Sequence, residues 1–380
     1  MQLILKFLAV ILAVFQVFQT QLGGHSLEIT SDLRSPTVKA YSKAYWKARS
    51  VWDMVLVDGV LYVGSGDYSA NAGPVKIWAY DLEKQEWSAV HTANSEAVSR
   101  FVCLEDKIAA PGIDPCGSWE YGEYYILSEG QWSTFDRVPC AVHNFDIVSF
   151  EGRLFFGLGT ENNSASPVLM SESGTSDFVQ VPFYKSDTPV LGNGSYSFAR
   201  TYDFFILGDS LYCLFSPYQE NVGYSYEIYR FAGDRFEFVQ NLKDAQVSLT
   251  ALKQVPVAGK VYANKTCYIA TGNLYTTSDF VSFTQVQLPN GGYVTDLLTE
   301  PMGTTGMDMV YALSSAATDN GDYLTTIYAL APDGTAIPVA EYTASCLALS
   351  FVKEGAGFYV GFGSGNEKSK DVGKIIYITQ

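Results

Sequence analysis

The sequence predicts an all-β fold, a single seven-bladed β-propeller whose blades have four strands each. Three observations support this prediction: the composition, a hairpin pattern that recurs along the chain, and a second hairpin that follows each copy. The 380 residues include 26 Tyr, 23 Phe and 33 Gly, and aromatic segments separated by glycine turns favour strands. Because four short strands repeated around a ring form propeller blades, the pattern predicts this architecture.

The recurring hairpin is clearest in "FDIVSFEGRLFFGLG", residues 145–159, and in "WDMVLVDGVLYVGSG", residues 52–66. Aligned by their central turns, the two segments place Asp53 and Asp146 at one position. The other units hold at this position Arg100, Asp203, Thr250, Asp296 and Cys346. Successive positions lie roughly 50 residues apart, and so small a unit cannot bury its own face, which favours a closed ring. A β-sandwich array or two separate β domains are the alternatives.

The two ends of the chain complete the domain assignment. Residues 1–24 contain "MQLILKFLAVILAVFQVF", the layout of a secretory signal, and residues 25–380 are assigned to the propeller. An uncleaved N-terminal anchor is the alternative. The last unit has three strands, so we expect "SLEIT", residues 26–30, to add its fourth. No later segment reaches the ~18 apolar residues of a membrane span, so we expect a secreted protein.

Three units carry an aromatic pair seven residues apart, after a glycine-containing second strand. The pairs are Tyr80 with Trp87, Tyr125 with Trp132, and Tyr229 with Phe236. This arrangement resembles the kelch repeat. In addition, "SESGTSDF" and "TTSDFVSF" are similar to degenerate Asp-boxes of the sialidase type. Both resemblances imply propeller blades.

The charge and the motifs restrict the function classes. A formal net charge of −16 repels nucleic acid and anionic membrane surfaces, so we expect neither as a partner. The sequence lacks a P-loop, a dinucleotide fingerprint and a G-x-S-x-G elbow, which removes most support for nucleotide-dependent enzymes and serine hydrolases. The expected partner is an extracellular glycan or protein.

Cysteines and sequons indicate possible modifications of an exported chain. Cys116 and Cys140 fall in loops of the same predicted face and are the preferred disulfide pair. Cys213 and Cys267 occupy comparable second strands and either pair or remain buried thiols. The N-glycosylation sequons, functional if the host is a eukaryote, begin at Asn162, Asn193 and Asn264.

Loop lengths distinguish the two faces of the predicted ring. One face has short turn dipeptides such as Asp58 with Gly59 and Glu151 with Gly152, which close hairpins. The other face has long loops, at residues 64–74, 111–122, 159–167, 183–200, 216–225 and 314–323. Because long loops are usually kept for binding or catalysis, we expect the functional surface there, at the channel mouth.

The repeated position would place four carboxylates and one guanidinium around a single channel. One interpretation is structural: the carboxylate accepts hydrogen bonds from the backbone of the neighbouring unit and joins the two. Two features break the repeat. Arg100 replaces Asp, and His143 with Asn144 precedes only Asp146. A hydrogen-bonded loop residue is the plainer interpretation of His143.

Two kinds of chemistry fit these residues. His143 as base with Tyr68 or Tyr121 as acid suits β-elimination on a uronic acid, whose carboxylate Arg100 would bind. Glycoside hydrolysis would instead use two of the carboxylates Glu120, Asp114 and Asp67. The candidate catalytic residues are therefore His143, Arg100, Tyr68, Tyr121 and Glu120. The candidate ligand-binding residues are Asp53, Asp67, Asn71, Asp114, Trp119, Asn144, Asp146, Arg200, Tyr202 and Asp203.

The residues favour binding over catalysis. Aromatic platforms beside carboxylates, Asn and Arg suit a sugar, whose CH face stacks while its hydroxyls form hydrogen bonds; a loop core built on Trp119 and Tyr121 is the alternative. No metal site is predicted, although "DYSAN", residues 67–71, has alternating oxygens that suit Ca²⁺. The primary hypothesis is a glycan- or protein-binding propeller, and the alternative is a glycan-active lyase or hydrolase.

A basic segment stands out in this acidic chain. Residues 35–50 carry Lys39, Lys43, Lys47 and Arg49, and their spacing is compatible with a helix whose opposite side is apolar. The segment either recruits an anionic ligand or packs on the blade edges with solvated lysines.

Overall fold

The computed structural model describes residues 28–117, 120–160, 165–192, 194, 196–242, 257–302, 306–331, 333–363 and 368–379. The predicted signal, Thr250, Trp119 and the sequons at Asn162 and Asn193 lie outside the described residues. In the described part, strands dominate the regular structure, which confirms the all-β class.

The helical segments are short, and the strands follow one another along the chain. The helical segments are α1 Thr37–Ala40 and the 3-10 turns Lys43–Tyr45 and Tyr68–Ala70. The first strands are β1 Glu28–Arg34, β2 Asp53–Val57, β3 Val60–Gly64, β4 Val75–Asp81, β5 Glu86–Ala93, β6 Ser95–Ala97, β7 Val102–Leu104, β8 Lys107–Pro111, β9 Ile113–Pro115, β10 Tyr121–Ser128, β11 Gln131–Pro139, β12 His143–Phe150, β13 Arg153–Gly159, β14 Val168–Ser171, β15 Val179–Gln180, β16 Phe183–Lys185 and β17 Thr188–Pro189. The others are β18 Phe198–Leu207, β19 Ser210–Gln219, β20 Gly223–Tyr224, β21 Glu227–Phe231, β22 Phe236–Asn241, β23 Gly259–Ala263, β24 Thr266–Ala270, β25 Leu274–Thr277, β26 Thr284–Val286, β27 Tyr293–Pro301, β28 Asp308–Ala317, β29 Tyr323–Leu330, β30 Ala336–Ala344, β31 Leu347–Glu354, β32 Gly357–Gly363 and β33 Lys374–Thr379.

The strands of the described residues form five four-stranded sheets and one larger sheet. The four-stranded sheets are β2-β3-β4-β5, β7-β8-β10-β11, β23-β24-β25-β26, β27-β28-β29-β30 and β1-β33-β32-β31. The strands of residues 143–241, expected to form two separate blades, join β6 and β9 in one 13-stranded sheet. The prediction of seven four-stranded blades is therefore wrong, because the propeller has five blades of this kind.

Backbone pairing on the long-loop side explains this difference. Gly159, at the end of β13, pairs with Arg200 in β18, and His143, at the start of β12, pairs with Ile113 in β9. Each bridge is one residue pair long, and together they merge strands that turn spacing alone predicts to be separate. Spacing along the chain gives no information on such contacts between strands.

The N-terminal strand completes the last sheet. β1 pairs antiparallel with β33, with Glu28 opposite Thr379 and Arg34 opposite Lys374. The expectation that an N-terminal strand adds to the last three is confirmed, although it extends beyond the predicted residues 26–30. The two ends of the described chain are thereby joined by backbone hydrogen bonds.

Short turns of the predicted kind close the inner hairpins. Asp58 and Gly59 join β2 to β3 with φ of 49° and 75°, and Glu151 and Gly152 join β12 to β13 with φ of 51° and 72°. Two consecutive positive φ values are typical of type I′ turns, whose twist matches that of the flanking strands.

Aromatic side chains fill the space between the inner hairpins. Phe155 of β13 packs edge-on against Phe204 of β18 with ring centroids 6.3 Å apart, and Phe183 stacks on Phe215 at 4.5 Å. All four rings are buried. Truncating one such ring to alanine typically costs about 3–5 kcal/mol, so this packing holds β13, β16, β18 and β19 firmly together.

The predicted disulfide between Cys116 and Cys140 is absent. All six cysteines are free thiols, and no two lie within bonding distance. The Cys116 N–H donates to Asn94 O at 3.0 Å, and its sulfur lies so close to Gly73 that a β-carbon there would clash. Cys213 and Cys267 are buried thiols, the second interpretation of that pair. Burial raises the pKa of Cys267 to about 12.

The basic segment forms less helix than its spacing indicates. Only α1 and the 3-10 turn at Lys43–Tyr45 are present, and no helix among the described residues is both long and apolar enough for a membrane crossing.

Candidate functional site

The repeated aspartates lie buried at the starts of inner strands, where they join neighbouring hairpins. Asp53 Oδ2 accepts a hydrogen bond from Phe101 N at 2.5 Å, in the hairpin that follows. Equivalent bonds are formed by Asp146 Oδ2, which accepts from Phe204 N at 2.7 Å, and by Asp296 Oδ2, which accepts from Phe351 N at 3.0 Å. The structural interpretation of this position is therefore confirmed. A backbone N–H left without these partners would cost about 1–3 kcal/mol.

A register irregularity aims these carboxylates. The pairing shifts immediately before Asp146, Asp203 and Asp296, and the same shift precedes Ser350 in β31. A bulge of this kind re-aims the next side chain. Ser350, and not the predicted Cys346, therefore occupies the position in β31.

Ser350 also joins the last hairpin to the first by hydrogen bonds. Its Oγ accepts from Met54 N at 3.0 Å and contacts Asp53 Oδ1 at 3.0 Å, linking β31 to β2. Cys346 is buried, and burial raises its pKa to about 12. The last hairpin is thus bonded to the first, just as Asp53 bonds the first to the second.

Arg100 is engaged inside the protein. Its Nη1 donates to Asp203 Oδ1 at 2.7 Å and lies 3.5 Å from Asp146 Oδ1, while Nη2 donates to Val257 O at 2.6 Å. Lys260 contacts Asp146 Oδ2 and lies 3.6 Å from Asp203 Oδ1. Two cations thus face two buried carboxylates, an arrangement that argues against Arg100 as the ligand of a substrate carboxylate.

Burial dominates the protonation of these carboxylates. It raises the pKa of Asp53 to about 6, against hydrogen bonds from Phe101 and Met54 and the charge of Arg100. Burial and then the charge of Asp53 raise the pKa of Asp296. The pKa of Arg100 is also raised: burial opposes its charge, but Asp203 and Asp146 outweigh this effect. Asp53 and Asp296 therefore hold protons more tightly than exposed carboxyls.

His143 and Asp114 form a pair on the long-loop side. His143 Nδ1 lies 2.5 Å from Asp114 Oδ1, and the two side chains are 19% and 17% exposed. The imidazole stacks on Phe145 with centroids 5.1 Å apart, and Gly159 leaves room for the ring. The two side chains therefore lie in contact, but Nδ1 is buried and forms no hydrogen bond within the described residues, while part of the ring still reaches solvent.

Glu96, an acidic residue that is absent from the sequence-based candidates, lies near this pair. Burial raises the pKa of Glu96, and the charges of Asp114 and Asp67 raise it further, while His143 opposes them. Glu96 sits in β6, which pairs with β9 beside the strand of His143. Only this strand pairing brings Glu96 near Asp114, so spacing in the chain could not reveal it.

Arg200 lies among aromatic rings instead of carboxylates. Its guanidinium carbon is 5.9 Å from the Phe145 ring centroid, 5.6 Å from that of Phe198 and 5.5 Å from that of Tyr224. Nη1 donates to the Tyr202 hydroxyl at 3.2 Å. Within the described ranges Arg200 forms no salt bridge. Phe145 thus contacts both the guanidinium of Arg200 and the imidazole of His143.

The remaining predicted residues lie in different strands and turns, and no single cluster contains them all. Tyr68 is 52% exposed in a 3-10 turn, and Tyr121 is 40% exposed at the start of β10. Glu120 and Asn71 are exposed, and Asn144 is fully buried with no hydrogen-bond partner for its Oδ1 in the described structure. Among the described residues, neither tyrosine forms a hydrogen bond or a ring contact with His143, whereas Asp114 lies 2.5 Å from its Nδ1.

In the loop of residues 67–71, part of the oxygen set suggested for Ca²⁺ is engaged by the loop itself. Asp67 Oδ1 accepts from Ser69 N at 3.0 Å, which caps the 3-10 turn, and Asn71 ends the turn in the left-handed conformation. Among the residues the structure describes, no group of three or more His, Cys, Asp or Glu side chains could hold a metal ion. The Asp67 side chain and carbonyl oxygens thus accept hydrogen bonds from backbone N–H groups of the same loop.

The comparisons with known proteins show a fold and no family. No protein-family profile matches the chain, and no curated protein matches it by sequence. The kelch and Asp-box resemblances therefore have no family match behind them.

Solved structures share the β-propeller fold at low identity. A chain of a mitotic checkpoint complex has 9% identity and a TM-score of 0.53, with 93% of this chain and 94% of that chain covered. Virginiamycin B lyase from Staphylococcus aureus has 12% identity and a TM-score of 0.52, with 93% and 100% covered. Polysaccharide lyase Uly1 has 11% identity and a TM-score of 0.50, with 88% and 90% covered. Such distant likeness describes the fold alone.

Proposed function

We propose that this propeller binds a carboxylate-bearing glycan, such as a polyuronate, on its long-loop side. The observation that carries the proposal is Arg200, a partly exposed guanidinium that has aromatic neighbours and no carboxylate partner in the described structure. A guanidinium binds a carboxylate through two parallel N–H···O bonds, which lysine cannot reproduce. A uronate carboxylate is therefore the group that complements this position.

The rings around Arg200 suit the rest of a sugar. Phe198 stacks on Tyr218 at 4.8 Å, and Tyr224 lies edge-on to both, at 5.9 Å from Phe198 and 5.1 Å from Tyr218. Such a surface stacks on the CH face of a pyranose, while tyrosine hydroxyls donate to or accept from its hydroxyls. The charge and the apolar surface thus match two different parts of one uronic acid.

Binding can be tested with polygalacturonate as ligand and its fully methyl-esterified form as a neutral control. We expect the Arg200→Gln variant to lose at least about tenfold in affinity for polygalacturonate, because a charge-assisted pair contributes about 1.5–3 kcal/mol. Arg153→Gln is the matched control, since Arg153 also lies over two aromatic rings, at 5.8 Å from Phe155 and 5.3 Å from Phe231, but beside the short turn at Glu151. Equal affinities of the wild type and the Arg200 variant would contradict the proposal.

A second candidate function is β-elimination on the same class of ligand. The specific observation that favours it is the contact of 2.5 Å between His143 Nδ1 and Asp114 Oδ1. With the negative charge of Asp114 beside Nδ1 to stabilise a protonated imidazole, the other ring nitrogen would take the C5 proton next to a uronate carboxylate. The electron pair of that C–H bond forms the C4=C5 double bond as the C4–O bond breaks, and the leaving oxygen takes its proton from the imidazolium that the first transfer formed.

The lyase candidate has a separate readout. Incubation with polygalacturonate should produce unsaturated chain ends, measured by ultraviolet absorbance, and His143→Ala should abolish them while Arg200→Gln mainly raises KM. Retention of polygalacturonate without any unsaturated product would leave the binding proposal standing and rule out this activity for that substrate. Unchanged product formation in His143→Ala would rule out His143 as the base.

A further inference from the structure

A basic surface lies at the closure of the ring, apart from the Arg200 site. Residues 34–49 contain five Lys or Arg side chains and no Asp or Glu, in a chain of net charge −16. Lys39 and Lys43 are exposed, and Lys47 and Arg49 are half-buried. We call these four residues the basic strip. Since the whole chain is acidic, this concentration of positive charge creates a local field opposite to that of the remaining surface.

The carboxylates near the strip are already engaged by another lysine. Lys374 Nζ lies 3.3 Å from Asp32 and 3.8 Å from Asp371. No described carboxylate forms a salt bridge with any residue of the basic strip, so its charges are not neutralised within the part of the chain that the structure describes. Arg49 even has a buried Nε without a hydrogen-bond partner there.

Packing against the last loop adds further positive charge. Ser35 N donates to Gly373 O at 2.8 Å, and Arg34 Nη1 donates to Lys370 O at 2.6 Å. Lys370 is exposed beside this contact. Two segments at opposite ends of the chain therefore contribute to one electropositive surface, which depends on the closure of the ring.

Aromatic side chains interrupt the strip. Tyr45, between Lys43 and Lys47, is 46% exposed, and Lys47 Nζ lies 5.8 Å from the centroid of the Trp46 ring. Alternation of cations and exposed aromatic rings suits a chain of charged sugars, whose acidic groups and CH faces alternate as well.

The strip contacts a long loop that leads towards the His143 and Asp114 pair. The Tyr41 hydroxyl donates to Ala72 O at 3.1 Å, in the long loop of residues 64–74. The next residue, Gly73, lies against Cys116, two residues after Asp114. A series of contacts therefore connects the basic strip with the loop of the His143 and Asp114 pair.

We propose that the basic strip binds a polyanionic glycan, one that carries sulfate or carboxylate groups along its length. The inference rests on the proposed glycan-binding function, for which it adds a second contact surface. A flat anionic membrane or a DNA duplex would also bring phosphates close to the acidic surface around the strip, within the Debye length of about 8 Å at physiological salt. A single thin glycan chain can follow the strip without that repulsion.

The test uses dextran sulfate as probe and unmodified dextran, which has the same backbone, as its neutral control. The Lys39→Gln/Lys43→Gln/Lys47→Gln variant should bind dextran sulfate roughly tenfold or more weakly, because three cations near an anionic chain are lost. Raising the salt concentration should weaken the wild type more than this variant. Circular dichroism and thermal unfolding verify that the variant folds.

A matched triple variant separates position from net charge. Lys84→Gln/Lys107→Gln/Lys265→Gln removes the same charge from exposed positions outside the strip, and it should bind dextran sulfate like the wild type. Equal losses in the two triple variants, or no loss in the strip variant, would overturn the inference. Tighter binding to vesicles of anionic phospholipid or to single-stranded DNA than to dextran sulfate would overturn it as well.

Arg200→Gln distinguishes this inference from the proposed function. If the strip variant loses affinity for dextran sulfate while Arg200→Gln keeps its affinity for polygalacturonate, the inference on the basic strip is supported and the Arg200 proposal fails. The reverse result rules out binding by the basic strip and supports the Arg200 proposal.

Discussion

Arg100 and Arg200 are both half-buried, yet their surroundings are opposite. Arg100 donates to a buried carboxylate and a backbone oxygen, whereas Arg200 faces aromatic rings and one tyrosine hydroxyl. A buried charge is tolerated only when its partners are supplied by the fold. The paired arginine thus joins neighbouring hairpins, whereas Arg200, without a carboxylate partner in the described residues, is the one that we propose binds a ligand.

The largest expected effect is the loss of stability when Arg100 is removed. In Arg100→Leu, Lys260 alone faces the buried Asp146 and Asp203, so we expect the free energy of unfolding to fall by about 3–5 kcal/mol. Arg200→Leu should lower it by less than about 1 kcal/mol. Urea unfolding followed by tryptophan fluorescence measures both values. Similar losses in the two variants would break the comparison, and Lys260→Met offers a milder variant should Arg100→Leu fail to fold.

An intermediate effect concerns the pH dependence of the buried ring. Because the pKa of Asp53 is raised to about 6 in the folded state from its ordinary 3.8, its contribution to stability is full below pH 3.8 and is lost as pH rises through 6. The stability of the wild type relative to Asp53→Ser should therefore increase by about 1 kcal/mol between pH 7 and pH 5. Urea unfolding at both pH values measures this difference.

Asp333→Ser is the control for this pH effect. Hydrogen bonds from Thr335 lower the pKa of Asp333, an exposed turn residue. A lowered pKa makes the contribution of Asp333 fall only at acidic pH, below the window from pH 5 to pH 7. The wild type and Asp333→Ser should thus keep a constant difference across that window. A pH-independent difference for Asp53→Ser as well would show that its carboxyl titrates normally.

The smallest expected effect sharpens the assignment of the ligand side. Tyr202→Phe removes the hydroxyl that accepts from Arg200 Nη1 at 3.2 Å. We expect affinity for polygalacturonate to fall by roughly two- to fivefold, with a change of less than about 1 kcal/mol in stability. Isothermal calorimetry measures the affinity, and Tyr218→Phe, whose ring stacks on Phe198, is the control. A larger loss in Tyr218→Phe would indicate that the Tyr218 hydroxyl, and not the orientation of Arg200, dominates.

Residues close in sequence were the most predictable part of the site. The turn pairs and the position of the repeated Asp follow from local patterns, and the joining role of Asp53, Asp146 and Asp296 is confirmed. The pattern failed in β31, where Ser350 and not Cys346 takes the position, because the shift in register depends on the pairing between β31 and β32.

Partners far apart in sequence could not be predicted in this way. Lys260 was missed although it contacts Asp146, 114 residues away, and nothing in its own segment marks it. Glu96 was missed for a similar reason, since it approaches Asp114 only through the pairing of β6 with β9. The predicted disulfide failed because loop conformation, which spacing does not specify, directs Cys116 toward Gly73.

The amino-acid sequence by itself determined the all-β class, the hairpins and the side that carries the long loops, because alternation and turn residues act within a few positions of the chain. The tertiary structure alone decided how strands group into five blades and one larger sheet, and which arginine is paired. Both depend on hydrogen bonds and charges between segments far apart in the chain, such as the contact between Arg100 and Asp203, 103 residues apart.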